Sequence, residues 1–295
     1  MTQRKKFQLR LHSRTLELGE RTLIMGVLNV TPDSFSDGGI FFDTDSAIEH
    51  GLRMERDGAD MLDIGAESTR PGAEAVSAEE ELKRILPVLG GLRRSLKIPI
   101  SIDTQKAEVA EEALDAGAQI INDISGLKNE PRIAEIAARR NVPLILMHMR
   151  GEPRTMQKTP FARNAFGDVT KGLRNSLAMA HKAGVAESQI VIDPGIGFGK
   201  SFAQNYELLQ KLPQLAKLGY PILVGTSRKG FIGATLGEAG RPAPIERRIW
   251  GTAATVTASI LGGAHIVRVH DVAEMLQVAR VTDCVLNPKQ APENK

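Results

Sequence analysis

In chain order, the residues best able to do chemistry are Asn29, Asp63, Asp103, Asn122 with Asp123, His148, Asp193, the run Thr226-Ser227-Arg228-Lys229, and Arg268 with His270. They divide by type. Asp103, Asn122 and Asp193 supply acceptors. A carboxylate accepts two parallel hydrogen bonds, so it can pair with a planar amino-imino edge such as the N–C–NH2 of a guanine-like ring. An adjacent Asn122 offers both a donor and an acceptor to the rest of that edge. Cations come later in the chain. Lys229 can donate to a ring carbonyl or nitrogen, while Arg268 and His270, two apart on one strand end, face the same way and suit a phosphate clamp. Asn29 can add an oxygen ligand for Mg²⁺, which binds few protein groups alongside phosphate and water. Any one strand-end Asp can instead be a cap for the following helix, but that reading is poor for the whole set.

These residues fall at the ends of short, almost continuously apolar segments: Leu23–Asn29, Met61–Ile64, Ile100–Asp103, Ile120–Asp123, Leu144–His148, Ile190–Asp193, Ile222–Val224 and Ile266–Val269. Such runs suit strands buried on both faces. Helical stretches lie between them. Ser77 with Glu80 predicts a capping box ahead of a helix over Glu81–Leu92, and Thr104 predicts a cap for the helix after Asp103. Eight strand-plus-helix units predict a parallel (β/α)8 barrel, whose active residues sit at the C-terminal strand ends. The competing architecture is an open doubly wound sheet. Ahead of the first unit, the alternation Phe7, Leu9, Leu11 and then Leu16, Leu18 predicts a β-hairpin covering the barrel bottom. One domain over residues 1–287 is expected, with a disordered tail over 288–295. The loops Asn29–Phe42 and Gly65–Val76 are long and dense in Gly, Pro, Ser, Thr and Asp, as functional loops are.

Composition narrows the class of function. The chain has 295 residues, 42% hydrophobic and 25% charged, enough for a large core. A net charge of +3 and 4% aromatic residues argue against nucleic acid as partner. No apolar run approaches the roughly 20 residues that span a bilayer, so no membrane partner is expected. Met1–Arg10 is basic and polar with no apolar stretch behind it, so no secretory signal is read and a cytoplasmic location is expected. The single cysteine, Cys284, lies among Val281, Val285 and Leu286 and reads as a buried structural thiol.

Some signals carry less. Gly195-Ile196-Gly197-Phe198-Gly199-Lys200 matches neither common phosphate-loop spacing, and reads as a turn placing Phe198 at the pocket mouth. His148, in Met147-His148-Met149, is as readily a satisfied near-core histidine as a ligand. Asp63 and Glu67 read as loop-organising carboxylates ahead of an acid–base pair. The histidines are too scattered for zinc.

Taken together, the segments Gly26-Val27-Leu28-Asn29-Val30-Thr31-Pro32-Asp33-Ser34-Phe35-Ser36-Asp37-Gly38-Gly39 and Asp63-Ile64-Gly65-Ala66-Glu67-Ser68-Thr69-Arg70-Pro71-Gly72 resemble the two signatures of the dihydropteroate synthase family. Ser101–Thr104, Ile121–Asp123, Met147–Met149, Asp193–Lys200, Ser227–Lys229 and Arg268–His270 resemble its further motifs, in the family's order. The resemblance implies a reaction that joins 6-hydroxymethyl-7,8-dihydropterin diphosphate to 4-aminobenzoate, releasing diphosphate and giving 7,8-dihydropteroate. It implies a pterin site of Asp103, Asn122, Met147, Asp193, Gly225 and Lys229. Asn29, Thr69, Arg268 and His270, with Mg²⁺ on Asn29, would hold the diphosphate. Thr69, Arg70, Pro71, Phe198, Lys229 and Gly230 would form the aminobenzoate side, where sulfonamides compete. Gly230 departs from members with serine there and keeps only its backbone N–H.

The implied chemistry needs no enzymic nucleophile, because the amine already is one. Catalysis would rest on Asp103, Lys229, Arg268 and His270 stabilising a pterin cation and a departing diphosphate, with the two long loops excluding water. The resemblance also implies a homodimer, through helices over Ile245–Leu261 and Val272–Cys284. Two other readings stand beside this one. A methyltetrahydrofolate–corrinoid methyltransferase barrel would share the ring-binding residues but need no diphosphate clamp. A silent paralogue would bind pterin without condensing it.

Overall fold

The computed structural model describes residues 4–31, 44–68, 75–152, 155–156 and 163–293. Within them, eight parallel strands form the barrel: β3 (Leu23–Asn29), β4 (Met61–Gly65), β5 (Ile100–Asp103), β6 (Ile120–Asp123), β7 (Leu144–Met147), β8 (Ile190–Asp193), β9 (Leu223–Val224) and β10 (Ile266–Val269). Their hydrogen-bonded order is β8-β7-β6-β5-β4-β3-β10-β9. A parallel bridge between Ile192 and Ile222, just ahead of β9, closes the ring. The expected barrel is therefore present, and the open sheet is not. The short β9 reflects that seam, where Ile222 bridges rather than extending the ladder.

The helices around the ring are α1 (Thr44–Arg56), α2 (Ala78–Leu92), α3 (Ala107–Asp115), α4 (Arg132–Arg140), α5 (Ala165–Lys182), α6 (Phe202–Gln210), α7 (Leu212–Leu215), α8 (Gly230–Thr235), α9 (Ile249–Leu261) and α10 (Val272–Leu286). Their apolar faces pack against the outward residues of the strands, such as Ile24, Leu62, Ile102, Ile121, Leu144 and Val267, in one continuous core. Among the described residues, no helix is long and apolar enough to cross a membrane.

Inside the ring, side-chain alternation produces a polarity gradient along the barrel axis. The lower inward layer is Leu23, Met25, Met61, Ile120, Ile145, Val191, Leu223 and Ile266. The hairpin β1 (Phe7–Arg10) and β2 (Thr15–Leu18) pairs Phe7 with Leu18 and Leu9 with Leu16. It presses Leu9, Leu11 and Leu18 into that layer, so the barrel bottom is closed as expected. Because a strand repeats every two residues, the next inward positions are Asp63, Asn122, Met147, Asp193, Gly225 and Arg268. One strand therefore contributes an apolar residue to the plug and a functional one to the mouth.

Several local expectations change in detail. Ser77 caps α2 by accepting from the Glu80 N–H, but the Glu80 carboxylate turns to Arg84 at 3.0 Å, so the reciprocal half of a capping box is absent. A full capping box occurs instead at Ser201 and Gln204, ahead of α6. Thr104 does not cap α3. Its hydroxyl accepts from the Lys106 N–H, and the first turn of the helix is satisfied by Glu130, which accepts from the Ala107 N–H at 2.8 Å. Cys284 is half-buried, not buried as expected, because it lies near the outer face of α10. Past α10, Pro288–Gln290 makes one 3-10 turn, and the Gln290 amide donates to the Glu20 carbonyl at 2.8 Å. Most of the two long loops, including Thr69, Arg70, Pro71 and Pro32–Gly39 of the first motif, lies outside the described residues.

Candidate active site

The floor of the mouth is a charged knot. Arg268 donates through Nε to Asp63 at 2.6 Å and through a terminal nitrogen to Asp103 at 2.8 Å. Asn122 donates to the same Asp63 oxygen at 2.9 Å. Asp63 is fully buried. An unpaired carboxylate there would carry a large desolvation cost, and the guanidinium is what makes it tolerable. Asp63 is thus not a loop organiser as expected, but the anchor that aims Arg268. Glu67 does organise its loop: it accepts from Lys106 at 2.5 Å and from the Val76 N–H at 3.4 Å, while Lys106 also reaches the buried Glu81 at 2.7 Å.

Burial sets the protonation of this knot. Desolvation pushes Asp103 up to about 7, with Arg268 pulling the other way. Asp193 is raised to about 6 by burial, against the 2.6 Å hydrogen bond it accepts from the Gly195 N–H and the pull of Lys229. Lys229 is lowered to about 8, first by desolvation and then by Arg268. Two buried oxygens, Asn122 Oδ1 and Asp63 Oδ1, accept no hydrogen bond among the described residues. One Asn122 donor is already spent on Asp63, so toward a ligand the residue is chiefly an acceptor.

The opposite side of the mouth supplies donors. Ser227 Oγ accepts from the His270 backbone N–H at 3.2 Å and lies 2.9 Å from His270 Nδ1. The Ser227 hydroxyl keeps a second lone pair beside its own proton, so its role toward Nδ1 follows the imidazole tautomer. Desolvation, then Arg268, pushes His270 down to about 3, so it is neutral. Of the two residues expected to form a clamp, Arg268 is thus a cation and His270 a neutral imidazole. Asn29 closes this side at the half-buried end of β3, in register with Gly65. A Cβ built at Gly225 would sit 3.7 Å from that of Arg268, an ordinary contact.

Phe198 is buried with Ile124, Met147, Met149 and Met156, forming an apolar wall, and Lys229 Nζ lies 4.0 Å from its ring centroid. The turn that places Phe198 is as expected. Gly195, Gly197 and Gly199 all have positive φ, and a Cβ at Gly195 would lie 2.0 Å from the His148 carbonyl oxygen. What composition did not reveal is its staple. Lys200 is buried, and its ammonium donates to the carbonyls of Gly195 at 2.8 Å, Phe198 at 2.9 Å and His148 at 3.2 Å. Three ammonium donors thus meet three carbonyls of one turn, and the Gly195 carbonyl accepts from the Phe198 N–H at 3.1 Å as well. Desolvation lowers Lys200 to about 7, which offsets part of these bonds, so Lys200→Met should cost about 2 kcal/mol, read as a fall in melting temperature; an unchanged melting temperature would remove the staple role. His148 is a near-core residue: its ring is buried, burial pushes it down to about 2, and it packs against Gly172. A side chain at Gly230, the first residue of α8, would meet nothing within 4 Å, so packing does not force a glycine there. Among the described residues, no cluster of three His, Cys, Asp or Glu could hold a metal.

A (β/α)8 barrel whose mouth gathers carboxylate and amide acceptors around the cations Arg268 and Lys229 defines an enzyme for a planar, hydrogen-bonding ring that carries an anionic group. Residues 25–270 match the family described as pterin binding enzyme. The chain belongs to that family, and within it to the dihydropteroate synthases. It is 51% identical over 267 residues to the dihydropteroate synthase of Synechocystis, covering 90% of this chain and 91% of that one. It is 48% identical to the Bacillus subtilis enzyme of the same name, over 92% and 91% of the two chains. Among solved structures it is similar to Xanthomonas albilineans dihydropteroate synthase with 4-aminobenzoic acid, with a TM-score of 0.88, 41% identity and coverage of 98% and 100%. It is also similar to that enzyme in complex with 7,8-dihydropteroate, with a TM-score of 0.84, 39% identity and coverage of 97% and 100%.

Proposed function

We propose that this chain condenses 6-hydroxymethyl-7,8-dihydropterin diphosphate with 4-aminobenzoate, giving 7,8-dihydropteroate and diphosphate. The observation that carries the reading is the mixed mouth: Asn122 and Asp193 as buried acceptors and Asp103 as a half-buried one, with Arg268, His270 and Lys229 beside them. The ionised Asp193 accepts from the amino-imino edge of the ring, and Asn122 Oδ1 accepts from the next ring N–H. Lys229 donates to the ring and lies over Phe198, where the aminobenzoate ring packs. Thr69, Arg70, Pro71 and the Gly230 N–H complete the aminobenzoate side.

The pterin methylene C–O bond breaks first, its electron pair leaving on the diphosphate. Arg268 meets the charge that develops there, and His270 donates to it in the tautomer that carries its proton on Nε2. Asp103 balances the positive charge left on the pterin. The amine lone pair of aminobenzoate then forms the C–N bond, and its proton goes to the released diphosphate. The single Asn29 oxygen fits Mg²⁺ only if diphosphate and water supply the other ligands, which suits that ion; when bound, it adds charge neutralisation at the leaving group. Purified protein given the pterin diphosphate, Mg²⁺ and radiolabelled aminobenzoate should yield labelled dihydropteroate. Folded protein that yields none would refute the reading.

The reaction belongs in the cytoplasm, consistent with a single, unpaired cysteine. The working unit is a homodimer. The outer face of α9 presents Trp250, 80% exposed, with Leu261, and α10 adjoins it with Val281 at 67% and Val285 at 55%. Large apolar side chains left this exposed on two adjoining helices suit an interaction surface. Sedimentation should therefore give a dimer, with Trp250→Glu shifting it to monomer; a wild-type monomer at micromolar concentration would overturn this.

A further inference from the structure

Arg228 lies between Ser227 and Lys229, and Asp271 directly follows His270, so each is next to a residue of the mouth without belonging to it. Arg228 donates through Nε to Asp271 at 3.1 Å and through a terminal nitrogen at 2.5 Å. The backbone of Arg228 is also held on both sides. Its N–H donates to the Thr252 hydroxyl at 3.2 Å, and its carbonyl accepts from Arg248 at 2.9 Å. Arg248 is itself fixed to the Ala243 carbonyl at 2.8 Å.

Two features make this arrangement costly as mere packing. Arg228 has φ +60°, a left-handed conformation that disfavours a side chain. Asp271 sits at the N-cap of α10, where a carboxylate ordinarily accepts from the helix's first N–H groups, yet it makes no such bond. Its oxygens go to Arg228 instead. The pair cannot repay those costs in stability, because the Arg228 side chain is 40% exposed and such pairs contribute little.

What the pair does accomplish is geometric. It ties the loop after β9 to the loop after β10. In the same stitch, Ser227 from the first loop holds both the backbone N–H and the ring of His270 in the second. We propose that the Arg228–Asp271 pair is a positioning device that fixes the distance between Lys229 and His270, and so between the ring-binding and diphosphate-binding sides of the mouth. The proposal rests on the substrate assignment above. A substrate spanning both sides is then held with its reacting carbon in place, while inorganic diphosphate alone, touching one side, needs the register less.

The test compares Asp271→Asn, Arg228→Gln and the double variant. Asn remains a competent N-cap, so α10 is kept. Each single variant should keep its melting temperature and its affinity for inorganic diphosphate within about twofold, while kcat/KM falls about tenfold. The double variant should lose no more than either single one, because both remove the same link. Unchanged kcat/KM, or losses that multiply in the double variant, would overturn the proposal while an active wild type leaves the reaction assignment standing. Should Asp271→Asn or Arg228→Gln fail to fold, Arg228→Lys decides by the same measurements: it keeps the charge but loses the two-pronged contact, and full kcat/KM would reject a geometric role.

Discussion

Arg268→Met should be the most damaging single substitution in the mouth, in both stability and turnover. The residue faces Asp63 and Asp103 at once, and Asp63 is fully buried. Removing the cation leaves two carboxylates together in a desolvated site, where a broken buried pair costs about 3 kcal/mol or more. In a domain of this size that corresponds to a melting temperature lower by about 6 °C. The deficit should depend on pH in a defined direction. Burial already raises Asp103 to about 7, and losing its counterion raises it further. A carboxyl with a folded pKa above its unfolded value makes the native state the better proton binder, so stability rises as pH falls from the folded pKa toward about 4. Thermal melts at pH 7.5 and 5.5 should therefore converge toward wild type at the lower pH; a deficit independent of pH would show that Arg268 is not serving as the counterion. Turnover should fall about a thousandfold, from loss of the charge that meets the leaving diphosphate, and melting at low pH should recover while turnover does not. Arg268→Lys should restore the charge but only part of the function, because the ammonium lacks the planar fork that meets Asp63 and Asp103 from fixed directions.

Asp193→Ala should separate binding from folding in the opposite way. Two charge-assisted hydrogen bonds to a ring edge amount to roughly 4 kcal/mol, about a thousandfold in pterin affinity. Yet the melting temperature should hardly move. Burial raises Asp193 to about 6, so ionising it opposes folding, and that offsets loss of the bond from the Gly195 N–H. In wild type, protonation of Asp193 should weaken pterin binding by roughly tenfold per unit below about pH 6, since a protonated carboxyl no longer accepts on both oxygens. Calorimetric titration with a pterin analogue across pH 5–8 checks both points. Near-normal binding by Asp193→Ala, or affinity that does not weaken in acid, would move the ring-binding carboxylate elsewhere.

The (β/α)8 architecture is local information repeated eight times: short apolar strands, intervening helices, and a polar residue closing each strand. It is legible because each unit obeys the same hydrogen-bonding and alternation rules wherever it sits in space. The same alternation makes Met61 with Asp63, Ile120 with Asn122, and Ile266 with Arg268 paired choices of plug and mouth. The hairpin's role was equally plain, since Leu9 and Leu18 had to find a dry surface and the barrel bottom offered one.

The partner of each polar group was not legible. Thr104 looked like a cap by position, but Glu130, distant in sequence, satisfies the helix instead. His270 looked cationic by type, whereas burial beside Arg268 makes it neutral. Asp63 gave the same strand-end signal as Asp103, and only the crossing of Arg268 from β10 reveals it as an anchor. Lys200 carried no mark beyond following a glycine-rich turn, yet it staples that turn from within. Residue types and order thus set which strand ends meet and what kinds of groups they bring. Which charges neutralise one another, and which oxygens are left for a substrate, depended on desolvation and on contacts between residues as far apart as Asp63 and Arg268, which only the closed barrel brings together.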